Sequence, residues 1–277
     1  MGKKLLRTLK LYKAQFISMI IMVALGVGVF VGFNMEWVSI DKNTEKFFQD
    51  TGFADYRIVS ESGFSVDELE EIRAIGGVDG VARYVSVNAD VAGGGGDSLA
   101  LTVTEDGSVS GFVLIEGAQY DPASTDGIWL SDKYAAANGI SVGDGLTLEY
   151  SGMSLTGKVA GLVKSGEHMI CVRDETQLMP DFNTYGFAYI SPKMYEDALG
   201  FEFYPQINVI SHMEKGEFTD KVEGCLEKTL LILTKDETTS YAEAQGESEE
   251  GKSMGAVLPV IFLVIAVLTM VTTMHRI

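Results

Sequence analysis

MGAVLPVIFLVIAVLTMVTTM, residues 254–274, carries no charge over 21 positions. Wound as an α-helix at 1.5 Å per residue it reaches about 31 Å, which matches the hydrocarbon core of a bilayer. The charged stretch ESEEGKS precedes it, and only His275, Arg276 and Ile277 follow. Chains do not usually end three residues after a membrane crossing with a basic flank. The sequence therefore reads as the front part of something longer, with residues 275–277 as a truncated cytoplasmic end.

Working outward, a second charge-free run lies near the other end: FISMIIMVALGVGVFVGFNM, residues 16–35. It too is long enough to span. Five basic residues, Lys3, Lys4, Arg7, Lys10 and Lys13, crowd its N-terminal side, and no acid occurs before Glu36. All 39 acidic residues fall between Glu36 and Glu250. Lysine and arginine beside a span stay in the cytoplasm. Residues 1–15 are then a cytoplasmic basic segment, 16–35 and 254–274 are transmembrane helices, and 36–253 form an acidic extracytoplasmic domain. The location is the plasma membrane, with both termini inside. A net charge of −18 leaves no basic footprint for a nucleic acid. A cleaved signal peptide is disfavoured, because the apolar run is longer than a usual h-region and no A-x-A site closes it.

Gly26, Gly28 and Gly32 lie inside the first run, the last two as a G-x-x-x-G pair. Such spacing lets another helix backbone approach closely. Glycine is also simply common in membrane helices, and both readings stand.

The middle of the chain has mixed periodicity. No helix breaker stands between Trp37 and Asp50, so the first helix continues outward until Gly52. ADYRIVS, residues 54–60, alternates as a strand. Ser65 and Glu68 form a capping box for a helix with an apolar stripe at Val66, Leu69, Ile72 and Ile75, stopped by Gly76-Gly77. Residues 80–91 read as a strand, and Gly93 to Gly96 as a hairpin tip before another strand. Residues 113–163 are β-rich. They include a short helix capped by Ser131 and ended by Gly139, and a hairpin around Ser151-Gly152. Met169–Arg173 and Gly186–Ile190 look like strands, and Ser191-Pro192 opens a helix closed by Gly200. A strand at 206–211, an apolar helical stripe at Phe218, Val222, Cys225, Leu226 and Leu230, and a last strand at 231–234 follow. The fold class is thus an α+β membrane protein. Two transmembrane helices frame a mixed α/β extracytoplasmic domain, with βαβ-type pieces at its ends and a β-rich subdomain at about 110–190. Residues 236–253 are polar and helical into the second span.

Three stretches together resemble the MacB/FtsX-like permease family of ABC transporters. The first is Leu5 to Phe33, a basic segment running straight into a glycine-containing span. The second is the order Ile115-Glu116-Gly117, Asp126 to Ser131, Gly139 to Asp144 and Val159 to Val163, similar to that family's extracytoplasmic core domain. The third is Leu258 to Leu268 followed by Thr272 to Arg276, similar to its second span and cytoplasmic exit. The resemblance covers essentially the whole chain and is diffuse. It implies a permease subunit that couples ATP-driven motion of a separate cytoplasmic ATP-binding subunit to its outer domain. The outcome would be export of a peptide, lipid or lipoprotein, or transmembrane signalling. The implied partners are that ATPase, the remaining permease spans, the lipid bilayer and an extracellular substrate or protein. No cofactor and no catalysis by this chain are implied.

Other constellations carry less. Gly246 to Ser253 matches G-x-x-x-x-G-K-[ST] literally. A P-loop needs a buried strand before it and a soluble helix after it, and three glutamates in the match would repel phosphates. His168, His212 and His275 show no metal-ligand spacing. Cys171 and Cys225 could bridge in oxidising surroundings, but a domain this large needs no staple, and free thiols are favoured. Cys225, on its apolar stripe, is expected to be buried. The alternative from another class is a two-span sensor whose outer domain binds a ligand; a membrane-tethered extracellular enzyme is a third.

Overall fold

The computed structural model describes residues 12–174, 176, 177 and 179–274. The basic residues Lys3, Lys4, Arg7 and Lys10, and His275 and Arg276, lie outside the described residues. Among those described, the chain divides into two compact units. One holds the long helices up to 45 and from 244 onward, and the other is 46–243.

The first unit is built from α1 (Lys13–Asp50) and α6 (Thr239–Met274). Both are long and apolar enough to cross a membrane, and their apolar windows are 0% and 6% buried. A core helix of a soluble protein would hide that surface. Pro259 sits within α6, a placement that membrane helices tolerate. Polar residues join the two helices beyond their apolar halves. Ser248 Oγ donates to Asp41 Oδ1 at 2.7 Å, and the Lys252 ammonium lies over the Trp37 ring at 5.3 Å. A Cβ on Gly251 or Gly255 would come within 3.2 Å of Trp37, so the small residues make a notch for the indole.

The second unit begins as β1 (Tyr56–Val59), α2 (Val66–Arg73) and β2 (Val78–Val91). The capping box forms as expected: Ser65 Oγ accepts from the Glu68 amide, and Glu68 accepts from the Ser65 amide. The unit ends as β9 (Gln206–Ser211), α5 (Lys215–Cys225) and β10 (Leu231–Thr234). These strands pair in the order β10-β1-β9-β2, all antiparallel. That is a β-α-β-β-α-β arrangement in which each helix bridges two strands of one sheet. One core holds it together, with Ile58 and Ile207 from strands and Ile72, Phe218 and Val222 from helices, all fully buried. Each such side chain contributes about 1.5–3 kcal/mol on leaving water.

Residues 92–205 are inserted between β2 and β9. They supply β3 (Ser98–Thr104), β4 (Val113–Gly117), β5 (Gly127–Ser131), α3 (Asp132–Asn138), β6 (Gly145–Tyr150), β7 (Met153–Lys164), β8 (Tyr185–Ile190) and α4 (Pro192–Leu199). The pairings β2–β3, β3–β8, β8–β5, β5–β7, β7–β6 and β6–β2 close on themselves as a six-stranded ring. One face of all six strands shares a core, including Val85, Leu101, Leu130, Leu148, Val159 and Ile190. A ring has no interior edges, which removes the pairing hazard of an open sheet. The 14-residue β2 serves both parts: Val78–Tyr84 pairs β9, and Tyr84–Asp90 pairs β3. The β-rich part therefore draws on residues before 110, which extends the expected subdomain towards the N-terminus.

One expectation is corrected. Met169–Arg173 is not a strand. Both edges of its neighbour β8 are taken, by β3 and β5. The segment instead lays Cys171 into the core on the outer face, with Trp129, Phe187 and Tyr189.

Candidate coupling junction

The last turn of α1 and the first turn of α6 belong to the sheet unit. α1 stops because Gly52 adopts φ +60. Its amide still bonds to the Gln49 carbonyl, while its own carbonyl accepts from Ser110 N at 2.7 Å. A Cβ here would stand 1.8 Å from the Ser108 carbonyl oxygen, so only glycine fits. Phe48, Phe53 and Tyr241 form an aromatic cluster, with centroids 4.6 to 5.9 Å apart. Both helix ends thus enter the unit at the same place.

Beneath that cluster lies a buried charge. Arg57 of β1 sits over the Phe53 ring at 4.7 Å. Its guanidinium meets Glu167 at 2.7 Å, and the two side chains are 8% and 9% exposed. The second Glu167 oxygen accepts from Ser110 Oγ at 2.7 Å, and Ser110 Oγ accepts from Asn208 Nδ2 at 2.6 Å. The Glu167 carbonyl accepts from Ser240 Oγ on α6 at 2.9 Å. One residue therefore ties β1, the 110 loop and α6 together, and through Ser110 it reaches β9. Ser110 holds φ 50, a strained value for a side chain with a Cβ. A Cβ on neighbouring Gly166 would meet Thr51 Oγ1 at 2.6 Å and Phe48 at 3.0 Å, so the loop carrying Glu167 lies directly on the end of α1.

His168 follows Glu167. Its Nε2 is 2.8 Å from Thr102 Oγ1, and its ring stacks on Phe187 at 4.7 Å. Burial pushes its pKa down to about 4, opposed by the nearby Glu167 carboxylate. The imidazole is neutral at ordinary pH. On the far side of β1, Asp55 accepts from Lys235 Nζ at 2.8 Å and from Ser211 N at 3.0 Å. Desolvation lowers the Lys235 pKa, but the bond and charge of Asp55 together with the nearby Tyr241 and Asp236 outweigh it, and the net shift is upward. The junction thus holds a desolvated ion pair, Arg57–Glu167, and a more exposed one, Lys235–Asp55. Such an arrangement can pass displacement between helix ends and sheet.

Among the sequence-selected residues, Gly52 and His168 enter this junction. A Cβ on Gly26 would lie 4.0 Å from Phe262 on α6, whereas Gly28 and Gly32 have nothing within 4 Å. Gly246 to Ser253 lies on the unbroken helix α6, so no phosphate loop exists there, and its Lys252 faces Trp37. His212 is exposed. Among the described residues no group of three or more histidine, cysteine or acidic side chains could hold a metal ion. No bridge joins Cys171 and Cys225: Cys171 is buried and Cys225 is exposed. The expected burial of Cys225 is corrected, because Phe218 and Val222 take the inner face of α5. Burial pushes the Cys171 thiol up to about 12. A maleimide should therefore modify one thiol per folded chain, at Cys225, and a second only on unfolding. Mass spectrometry showing two rapid additions on the folded chain would contradict this. Arg57 and Glu167 were not singled out by sequence; the one available signal was a charge in the middle of the short apolar strand DYRIV.

No family model matches the chain, and no curated protein does. Among solved structures, the chain is similar to the extracellular domain of the noncanonic ABC-type transporter YknZ from Gram-positive bacteria. The identity is 12% and the TM-score 0.43, over 63% of this chain and 91% of that one. It is also similar to the periplasmic region of MacB from Actinobacillus actinomycetemcomitans. There the identity is 13% and the TM-score 0.43, over 74% of this chain and 97% of that one.

Proposed function

We propose that the chain is a permease subunit of a MacB/FtsX-like ABC transporter. In this reading α1 and α6 cross the plasma membrane with both termini in the cytoplasm, and the sheet unit faces outside. A separate ATP-binding subunit supplies the energy, and further spans complete the permease. The open Gly28 and Gly32 positions on α1 suit a close approach by one of those spans. Transport serves a peptide, lipid or lipoprotein, or the motion itself is the signal.

The observation that carries this reading is the shared anchorage. Two long helices with unburied apolar halves end in one aromatic cluster over one buried ion pair. A displacement of either helix reaches Glu167, through Thr51 and Gly166 on one side and Ser240 on the other. A conformational equilibrium in the membrane can then bias the outer unit through contacts that differ between two states.

Cys225 supplies the test of topology. A membrane-impermeant maleimide should label it in intact cells, and should label a cysteine placed at Gly2 only after permeabilisation. The reverse pattern would sink the proposal. The tagged chain, purified from its native membrane in mild detergent, should carry an ATP-binding subunit. Recovery of a signalling kinase in its place would favour the two-span sensor.

A further inference from the structure

α6 meets α1 in two different ways along its length. Over the polar halves the contacts are specific. Ser248, 5% exposed, donates to Asp41 Oδ1 at 2.7 Å, and the Lys252 ammonium stands 3.8 Å from the same carboxylate. The Trp37 indole fills the notch at Gly251 and Gly255. A Cβ on Gly255 would come within 3.2 Å of its Cδ1 and 3.3 Å of its Nε1. That Nε1 donates to Asn34 Oδ1 at 3.4 Å, one turn back on α1. Over the apolar halves the helices come together at Gly26 and Phe262, where an added Cβ would still have 4.0 Å. Val260, Leu263, Val264 and Val267 are 50–66% exposed.

The clasp ends where the backbone of α6 is weakest. Proline has no N–H, so Pro259 supplies no helix hydrogen bond to the carbonyl four residues before it. That carbonyl belongs to Gly255, the residue against the indole. Glycine adds its own backbone freedom, and sharp bends in helices arise at proline and at glycine. The stretch GAVLP, residues 255–259, therefore lacks one rung of the ladder, beside a rigid ring on the neighbouring helix. On one side of it α6 is tied to α1 by Asp41 and Trp37; on the other it faces α1 across a looser contact.

We propose that Gly255 to Pro259 is a hinge in α6 and that the Trp37 indole is its fulcrum. The polar half of α6 stays clasped to α1 while the apolar half swings. A bend of about 20° at Pro259 moves Val267, about 12 Å further along the helix, sideways by about 4 Å. Axial pull and rotation still pass along α6, which is continuous across Pro259. The sideways swing is taken up at the hinge. This assignment stands whether or not the chain couples to an ATPase.

The test is a pair of distance distributions, measured by double electron–electron resonance on the full chain in lipid nanodiscs. The background is Cys225→Ser, with Cys171 buried and out of reach of the label. Labels at Lys42→Cys and Glu247→Cys report the clasp, because these exposed positions are level with Asp41 and Ser248. Labels at Ile21→Cys and Val267→Cys report the swing, being level by the pairing of Gly26 with Phe262. The second distribution should be broader than the first by about 4 Å. Pro259→Ala, which restores the missing N–H, should narrow it to the width of the clasp pair and leave the clasp pair unchanged. Trp37→Ala should broaden the clasp pair. An unchanged thermal transition of the sheet unit would show that each variant folds. Equal widths in the parent, or no narrowing in Pro259→Ala, would remove the hinge. A clasp pair unmoved by Trp37→Ala would remove the fulcrum.

Discussion

Glu167→Leu is expected to lower the stability of the sheet unit by about 3–5 kcal/mol. The substitution leaves the Arg57 guanidinium buried without its counter-charge, and it leaves Ser110 Oγ without an acceptor. Arg57→Met should cost a similar amount for the reciprocal reason. The double variant should be far milder than the sum, because neither charge then remains to be solvated. For a unit of this size about 1 kcal/mol moves the midpoint by about 2–4 °C, so each single change should lower Tm by about 6–20 °C. The chain has two tryptophans, and Trp129 is buried in the outer-face core. In a Trp37→Phe background its fluorescence reports unfolding of this unit alone. Single variants within about 1 kcal/mol of the parent would show that the ion pair does not hold the junction. Under the proposed function the same single variants should also uncouple the outer unit from nucleotide binding by the partner subunit.

The second expectation concerns acid. His168 has its folded-state pKa lowered to about 4 by burial, against about 6.5 in the unfolded chain. Between these values the unfolded state binds more protons than the folded one, so stability rises with pH across that window. The contribution is complete above about pH 6.5 and is lost progressively as pH falls towards 4. The full difference corresponds to at most about 3 kcal/mol. Protonation would place a charge between Thr102 and Phe187, beside the pair that ties the helix ends, with the Glu167 carboxylate as the nearest compensating group. Carboxylates with lowered pKa values, such as Glu68 and Glu237, add their own losses at lower pH. The clean measurement is therefore the difference between the parent and His168→Gln, which retains a polar group towards Thr102. Denaturant midpoints from pH 7.5 to 4.5 should fall more steeply for the parent. Parallel curves for the two chains would remove His168 from the account.

Much of the local structure was legible because its causes are local. Twenty-one uncharged residues at 254–274 specify an apolar helix whatever surrounds them, and the same holds for 16–35. Ser65 with Glu68, Ser131 with Gly139, and Ser191-Pro192 with Gly200 set helix ends by bonds to their own neighbours. The hairpin at Ser151-Gly152 and the strands on either side follow from turn chemistry and alternation. The βαβ pieces at both ends of the domain were visible for the same reason.

Tertiary structure decided whatever depends on partners distant in sequence. The ring closes only because β3 meets β8, more than 80 residues away, and because β2 is long enough to serve β9, β3 and β6 at once. Nothing in the pattern of β2 says where one partner ends and the next begins. Met169–Arg173 has the composition of a strand and is not one, since a strand requires a free edge and β8 has none. The P-loop match at 246–253 fails for a similar reason: the whole stretch lies within one helix, and its Gly251 serves as a seat for Trp37. Arg57 and Glu167 stand 110 positions apart, and a charge is ordinarily a surface residue until the fold desolvates it and supplies the opposite charge. Sequence by itself determined two apolar helices and the local elements between them; the junction that ties those helices to one ion pair exists only in the assembled sheet, because desolvation is a property of what surrounds a group.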